Sequence, residues 1–168
     1  MSRKKSIFKG KVINRLQFKL PALSINEAMA RTMVGVFVSQ LDPEVTELAD
    51  IKCAVSEAVT NSIVHGYRYV SSGAGIVTVT VSIMEGRAVR VEIKDQGCGI
   101  SNVQEARQPL FTTDAAGERS GMGFTVMESF TDAMKVVSKP GQGTTVTLCK
   151  VLKDRPEVAG GYRRHGQS

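Results

Sequence analysis

A chain of 168 residues with 42% hydrophobic and 23% charged residues is sized for one compact domain and can bury a real core. Aromatics make up 5% and tryptophan is absent, which leaves a stacking platform for single-stranded nucleic acid poorly supplied. The net charge of +6 sits in the ends: residues 1–26 hold seven Lys/Arg and no acid, residues 150–168 five basic and two acidic residues, and residues 27–149 ten basic and fourteen acidic ones. Cys53, Cys98 and Cys149 are far apart and odd in number, without CxxC or Cys/His spacing, which fits reduced thiols rather than a disulfide frame or a zinc site. No apolar run follows Arg3, Lys4 and Lys5, and none reaches transmembrane length; a soluble cytoplasmic protein with no membrane partner is expected.

Residues 1–11 read as a basic, mobile arm, residues 12–152 as the domain, and residues 153–168 as a mobile tail. Val12 to Leu20 alternates as a strand does, and Pro21 ends it. Ser24 or Asn26 caps a helix whose apolar positions are Ala30, Met33, Val34, Phe37, Val38 and Leu41. Asp42-Pro43-Glu44 opens a second helix, with Asp42 as N-cap and Pro43 in the first turn. Its buried stripe is Leu48, Ile51, Val55, Ala58, Val59 and Ser62, and Gly66 suits a left-handed cap at its end. After a loop at 71–75, Ile76 to Met84 and Ala88 to Lys94 form a hairpin about Glu85-Gly86. Residues 101–120 lack a regular pattern over a length that marks a functional loop or a disordered one. Gly121 starts a third helix carrying Phe124, Val126, Met127 and Phe130; Met134 to Val137 and Thr144 to Val151 are the last strands. The order predicts an α+β sandwich: a mixed, mainly antiparallel sheet covered on one face by three helices.

Four segments carry chemistry. Glu57 and Asn61 lie four residues apart, on one face of the second helix. A carboxylate can take a proton and an amide oxygen can ligate Mg2+, and the small neighbours Ala54, Ala58 and Ser62 leave room for a ligand. Alone, the pair equally fits exposed polar positions of an amphipathic helix. Asp95-Gln96-Gly97-Cys98-Gly99-Ile100 follows a strand directly. Asp95 can accept a hydrogen bond from the exocyclic amine of adenine, with Gly97 and Gly99 letting the loop pass close to the base; a polar turn has the same composition. Arg119-Ser120-Gly121-Met122-Gly123-Phe124 stands at a loop-to-helix boundary, where glycines free backbone N–H groups for phosphate and Arg119 adds a cation for a terminal phosphate. The Pro140-Gly141-Gln142-Gly143 turn leads to Thr144-Thr145, and the Thr145 hydroxyl can support the Asp95 side of an adenine pocket. A P-loop, a Gly-x-Gly-x-x-Gly fingerprint and the protein-kinase HRD and DFG motifs are all missing.

The four segments in this order resemble the GHKL ATP-binding (Bergerat-type) superfamily, which includes gyrase, MutL-type repair proteins and histidine kinases. Glu57/Asn61 resemble its N box, Asp95-x-Gly97-x-Gly99 its first glycine box and Gly121-x-Gly123 its second. Leu23 to Tyr67, Asp95 to Gly99, Arg107-Gln108-Pro109-Leu110-Phe111-Thr112-Thr113 and Glu118 to Phe124 resemble more closely the sporulation anti-sigma F family of serine-protein kinases, over residues 12–150. The resemblance implies ATP/ADP and Mg2+ as cofactors, Glu57 as the general base, Asn61 as the metal ligand and Asp95 as the adenine reader. It also implies a nucleotide site completed by Gly97, Gly99, Ile100, Ser120, Gly121, Met122, Gly123, Phe124 and Thr145, a lid over 107–120 that includes Thr112 and Thr113, and Arg119 at the γ-phosphate. Its implied partners are a sigma F-like factor, contacted through Arg31, an anti-anti-sigma factor carrying a phosphoacceptor serine, and a second copy of the chain; direct nucleic-acid binding is not expected. Arg31 equally fits an exposed charge on the first helix. Competing readings are a nucleotide-sensing anti-sigma module without turnover, a kinase of the same branch serving a stress sigma factor, a histidine-kinase catalytic domain (with only His65 and His165 in the chain), and a nucleic-acid binder using its basic ends.

Overall fold

The computed structural model describes residues 8–108 and 122–154. Strands β1 (Val12–Pro21), β2 (Ile76–Met84), β3 (Ala88–Lys94), β4 (Ala133–Lys139) and β5 (Gly143–Val151) form one sheet in the order β1-β2-β3-β5-β4. All four ladders are antiparallel, so the mainly antiparallel sheet expected from the hairpins has no parallel pair. Helices α1 (Ile25–Val38), α2 (Val45–Asn61) and α4 (Gly123–Phe130) pack on one face, and α3 (Val103–Ala106) is a single turn.

Alternation explains the layering. Leu16, Phe18 and Leu20 of β1 face the helices with Val77, Val79 and Val81 of β2, Val89, Val91 and Ile93 of β3, and Val146 and Leu148 of β5. The opposite set, Arg15, Gln17 and Lys19 in β1, faces away. A register shift between Val12 and Asn14 breaks the alternation at the start of β1. Ala30, Val34 and Val38 of α1 and Ile51, Ala54, Val55, Ala58 and Val59 of α2 close the core from above. Ala54 and Ala58 are therefore core residues with no exposed surface. They let α2 approach its neighbours and leave no ligand space.

Three expected boundaries move. Helix α2 begins at Val45, because Asp42 takes a left-handed conformation (φ 47) that closes the 3-10 turn Ser39–Leu41, and Glu44 becomes the cap in a reciprocal capping box with Glu47. Gly66 does not end α2 in a left-handed cap. The helix widens instead into a π turn, Ser62–Gly66, that runs into Tyr67 (φ −106). Within 101–120, where no regular structure is expected, α3 forms with Asn102 capping it through the Glu105 N–H.

Glu47 joins the start of α2 to the chain leaving β5. It is 5% exposed; one carboxylate oxygen accepts the Lys153 N–H at 2.7 Å and the other the Glu44 N–H at 2.9 Å. Burial alone raises its pKa, but those two N–H groups, together with the charges of Lys153 and Lys150, outweigh burial and hold it below the ordinary carboxylate value. A depressed folded-state pKa adds stability that is present above the unfolded-state pKa and lost as pH falls through the folded value. Glu47→Gln keeps one acceptor and turns an NH2 toward the other N–H, so we expect a loss of about 1–3 kcal/mol at neutral pH. The difference from wild type should shrink in thermal melts run at decreasing pH below about 4; a difference independent of pH would contradict the assignment.

Candidate functional site

The site is organised by the last turn of α2 and the π turn after it. Ser62 lies on the buried side of α2, and its hydroxyl donates to Asp95 Oδ2 at 2.9 Å. Asp95 Oδ1 accepts two backbone N–H groups, from Gly97 at 3.0 Å and from Thr144 at 3.1 Å. The Asp95 backbone N–H in turn donates to the Thr144 carbonyl at 2.9 Å. A carboxylate offers about four acceptor positions, so these three bonds leave one, on Oδ2. Asp95 is 3% exposed, and burial raises its carboxyl pKa against the lowering effect of the three donors. A buried, fixed acceptor with one free position is suited to a single N–H donor from a ligand.

Gly97 and Gly99 are both required by neighbouring protein backbone. A Cβ on Gly97 would stand 2.0 Å from the Gly66 carbonyl oxygen, and one on Gly99 (φ +70) 2.2 Å from the Lys139 carbonyl oxygen. The loop is stitched to both places: the Cys98 N–H donates to Gly66 O and the Gly141 N–H to Cys98 O, each at 2.8 Å. Ile100 is fixed through its N–H to Ser138 Oγ, at 2.8 Å. Tyr67, buried beneath Gly75, accepts the Gln96 N–H and donates to the Ile76 carbonyl. It anchors the residue next to Asp95.

Glu57 and Asn61 are half-buried on one face of α2, and α4 starts against them. A Cβ built on Gly123 would lie 3.2 Å from Asn61 Nδ2, 3.3 Å from Asn61 Oδ1 and 3.3 Å from Glu57 Oε2. The start of α4 therefore lies against the carboxylate and the amide, and a side chain at position 123 would press on both. Met122 precedes this helix and Phe124 packs on the core. A lone neutral oxygen such as Asn61 Oδ1 suits Mg2+, which keeps few protein ligands and completes its shell with phosphate and water. Among the described residues there is no cluster of three or more His, Cys, Asp and Glu that would form an all-protein cage.

The structure thus brings together Glu57, Asn61, Gly123 and, through Ser62, Asp95 with Gly97, Gly99 and Ile100. Thr145 stands apart: it is paired with Lys94, on the sheet face away from the helices, whereas its neighbour Thr144 bonds Asp95. Thr144, Ser62, Ser138 and Tyr67 escape a reading based on motifs. Only Ser62 carries a signal, four residues after Ala58 on the buried stripe. Thr112, Thr113, Arg119, Ser120 and Gly121 lie outside the described residues. Arg31 is exposed on α1, 3.6 Å from Glu27, whose carboxylate also accepts the Ser56 hydroxyl at 2.5 Å. Arg107, at the start of the expected lid, is ion-paired with Glu128 of α4.

Residues 20–150 match the family described as the Histidine kinase-like ATPase domain, which implies ATP/ADP binding. An anti-sigma F factor of Anoxybacillus flavithermus is 53% identical over 139 residues, spanning 83% of this chain and 93% of that protein. One of Bacillus cereus is 50% identical over 141 residues, spanning 84% and 94%. Two solved structures share the fold at low identity. A Mycobacterium tuberculosis chain with RsbU and RsbW domains has a TM-score of 0.62 at 22% identity, over 85% of this chain and 33% of that one. The Pseudomonas aeruginosa SiaB–SiaC complex gives 0.57 at 12% identity, over 86% and 93%. No helix among the described residues is long and apolar enough to cross a membrane. With the glycine-bounded acceptor at Asp95, the Glu57/Asn61 pair beneath α4 and these relatives, the chain belongs to the histidine kinase-like ATPase family, in its anti-sigma F factor branch.

Proposed function

We propose that the protein is an anti-sigma factor that binds ATP and phosphorylates a serine of an anti-anti-sigma partner. The observation that carries this reading is the meeting of Glu57, Asn61 and the start of α4 at one point, with Ser62, the residue after Asn61, holding Asp95. Adenine's amine donates to the free acceptor position of Asp95, which guanine, with a carbonyl there, cannot match. The phosphates then run toward the N-terminal donors of α4. Mg2+ held by Asn61 would supply charge neutralisation between the phosphates.

In the transfer, Glu57 takes the proton of the partner's serine hydroxyl, the serine oxygen bonds to the γ-phosphorus, and the bond from that phosphorus to the β-phosphate oxygen breaks, releasing ADP. Arg119 and the rest of the 107–120 segment serve as the cation and cover at the γ-phosphate. Arg31, on the exposed side of α1, is the contact for a sigma F-like factor, and the chain works as a homodimer in the cytoplasm.

Glu57→Ala tests the reading through transfer of labelled γ-phosphate to an anti-anti-sigma protein. Transfer is expected to fall about 10²–10⁴-fold with ATP affinity retained. Undiminished transfer would remove Glu57 as the base. Sigma-factor binding by wild type with no transfer to any partner serine would leave a nucleotide-sensing module in place of a kinase.

A further inference from the structure

The sheet has a second face that the nucleotide site does not use. Alternation and register set its side chains in rows across the strands: Lys19, Thr78, Lys94, Thr145 and Val137; then Gln17, Thr80, Glu92, Thr147 and Lys135; then Arg15, Ser82, Arg90, Cys149 and Ala133. The Gln17 to Thr80 side-chain bond, 2.9 Å, confirms that these residues share a face. Lys139 extends the set at the end of β4. Six cations thus stand with one carboxylate, Glu92, but Arg90 is taken up within the protein: it lies 3.6 Å from Glu92 and donates to the Phe8 carbonyl at 2.9 Å, where the N-terminal arm crosses the face. Arg15, Lys19, Lys94, Lys135 and Lys139 are exposed, and none has an ion pair among the described residues.

The opposite layer has the opposite sign. Residues 25–61, which form α1 and α2, contain six acids and two bases. The acidic balance of the central sequence therefore averages two segregated surfaces, and the fold presents the cations together.

We infer that this helix-free face binds the phosphate backbone of duplex DNA, without reading its sequence. Strands lie about 4.8 Å apart and rise about 3.4 Å per residue, so the cations form cells of about 10 by 13 Å. That spacing is too wide for one small anion to bridge and calls for a polyanion. A protein partner would need an apolar centre to its interface; here the middle of the face holds threonines, and Val137 lies on an edge strand. Thr80 and Ser82 are buried, and the half-buried hydroxyls of Thr78, Thr145 and Thr147 are the ones that can donate to phosphate among the charges. The strands contribute no aromatic side chain to these rows, and Phe8 of the arm, bonded to Arg90 through its carbonyl, is a single aromatic at one corner rather than a stacking platform, which favours the duplex over a single strand.

The test is anisotropy of a fluorescein-labelled duplex of about 20 base pairs titrated with the full chain between about 50 and 200 mM salt. Wild type is expected to bind with a log–log salt slope of about −3 to −5, the signature of several neutralised phosphates. The triple variant Lys19→Glu, Lys94→Glu, Lys135→Glu should bind at least about 10-fold more weakly and lose about 3 from the size of the slope, with ATP affinity kept as the folding control. Should charge reversal impair folding, the same three positions changed to Gln serve instead. No binding by wild type at the low-salt end would overturn the proposal. An unchanged slope in the triple variant, with binding lost on changing Lys4, Lys5 and Lys9 to Gln, would assign the binding to the N-terminal arm and overturn it equally. Displacement of the duplex by polyglutamate of equal charge as effectively as by unlabelled duplex would point to an acidic protein and overturn the choice of DNA.

Discussion

Asp95→Asn is expected to weaken ATP binding about 10- to 100-fold while leaving the unliganded protein at least as stable as wild type at neutral pH. The two halves of that result come from one geometry. Asparagine keeps Oδ1 for the Gly97 and Thr144 N–H groups, and its NH2 takes the place of Oδ2, where the Ser62 hydroxyl can turn to accept. The frame survives. What disappears is the one free acceptor position, and a bond between a charged group and a ligand donor is worth about 1.5–3 kcal/mol. The stability half follows from the direction of the pKa. Burial holds the Asp95 carboxyl above its ordinary value in the fold. Its contribution to folding is therefore fully present below the unfolded-state pKa and lost as pH rises through the folded one. At neutral pH the buried charge is a cost, which asparagine removes. Isothermal titration with ATP and a thermal melt of the unliganded protein decide the matter. Unchanged ATP affinity would remove Asp95 as the adenine acceptor, and a melt several degrees lower would make it a structural carboxylate first.

Much of this site is legible in the sequence because periodicity and spacing are local. Glu57 and Asn61 share a helical face from their separation alone, and Asp95 follows an alternating strand that can end only in a turn. The same reasoning does not reach what depends on contacts distant in sequence. Gly97 and Gly99 read as clearance for a base, and nothing in the sequence signals that Gly66 and Lys139, respectively 31 positions before and 40 after them, already require glycine there. Thr145 and Thr144 are indistinguishable in a run of two threonines until the ladder with β3 places one on each face. Ala54 and Ala58 read as open space, whereas small residues equally allow close packing, and burial decides for packing. Net charge is the clearest case. Counting along the chain mixes strand positions that alternate between faces with helices of the other sign, and only the register separates them.

Gly97→Ala is expected to produce the larger loss, abolishing nucleotide binding to at least about 100-fold below wild type and lowering Tm by several degrees. The added methyl would lie 2.0 Å from the oxygen, 2.4 Å from the carbon and 2.8 Å from the Cα of Gly66. All three atoms are backbone, so no side chain can swing away, and overpacking of a rigid contact costs about 1–3 kcal/mol or more. In a chain of this size each kcal/mol lowers Tm by roughly 2–4 °C. The strain is relieved only by parting the loop from the π turn, which breaks the Cys98 N–H bond to Gly66 O and draws the Gly97 N–H away from Asp95 Oδ1. The acceptor then loses its aim as well as its support. Gly141→Ala is the comparison that isolates this cause. Its φ of +73 carries a backbone penalty, but no atom lies within 4 Å of the added methyl. It should therefore lower Tm modestly and leave ATP affinity close to wild type. If both variants lost affinity equally, general loosening of the loops would explain the result, and the contact between Gly97 and the π turn would not be what aims Asp95.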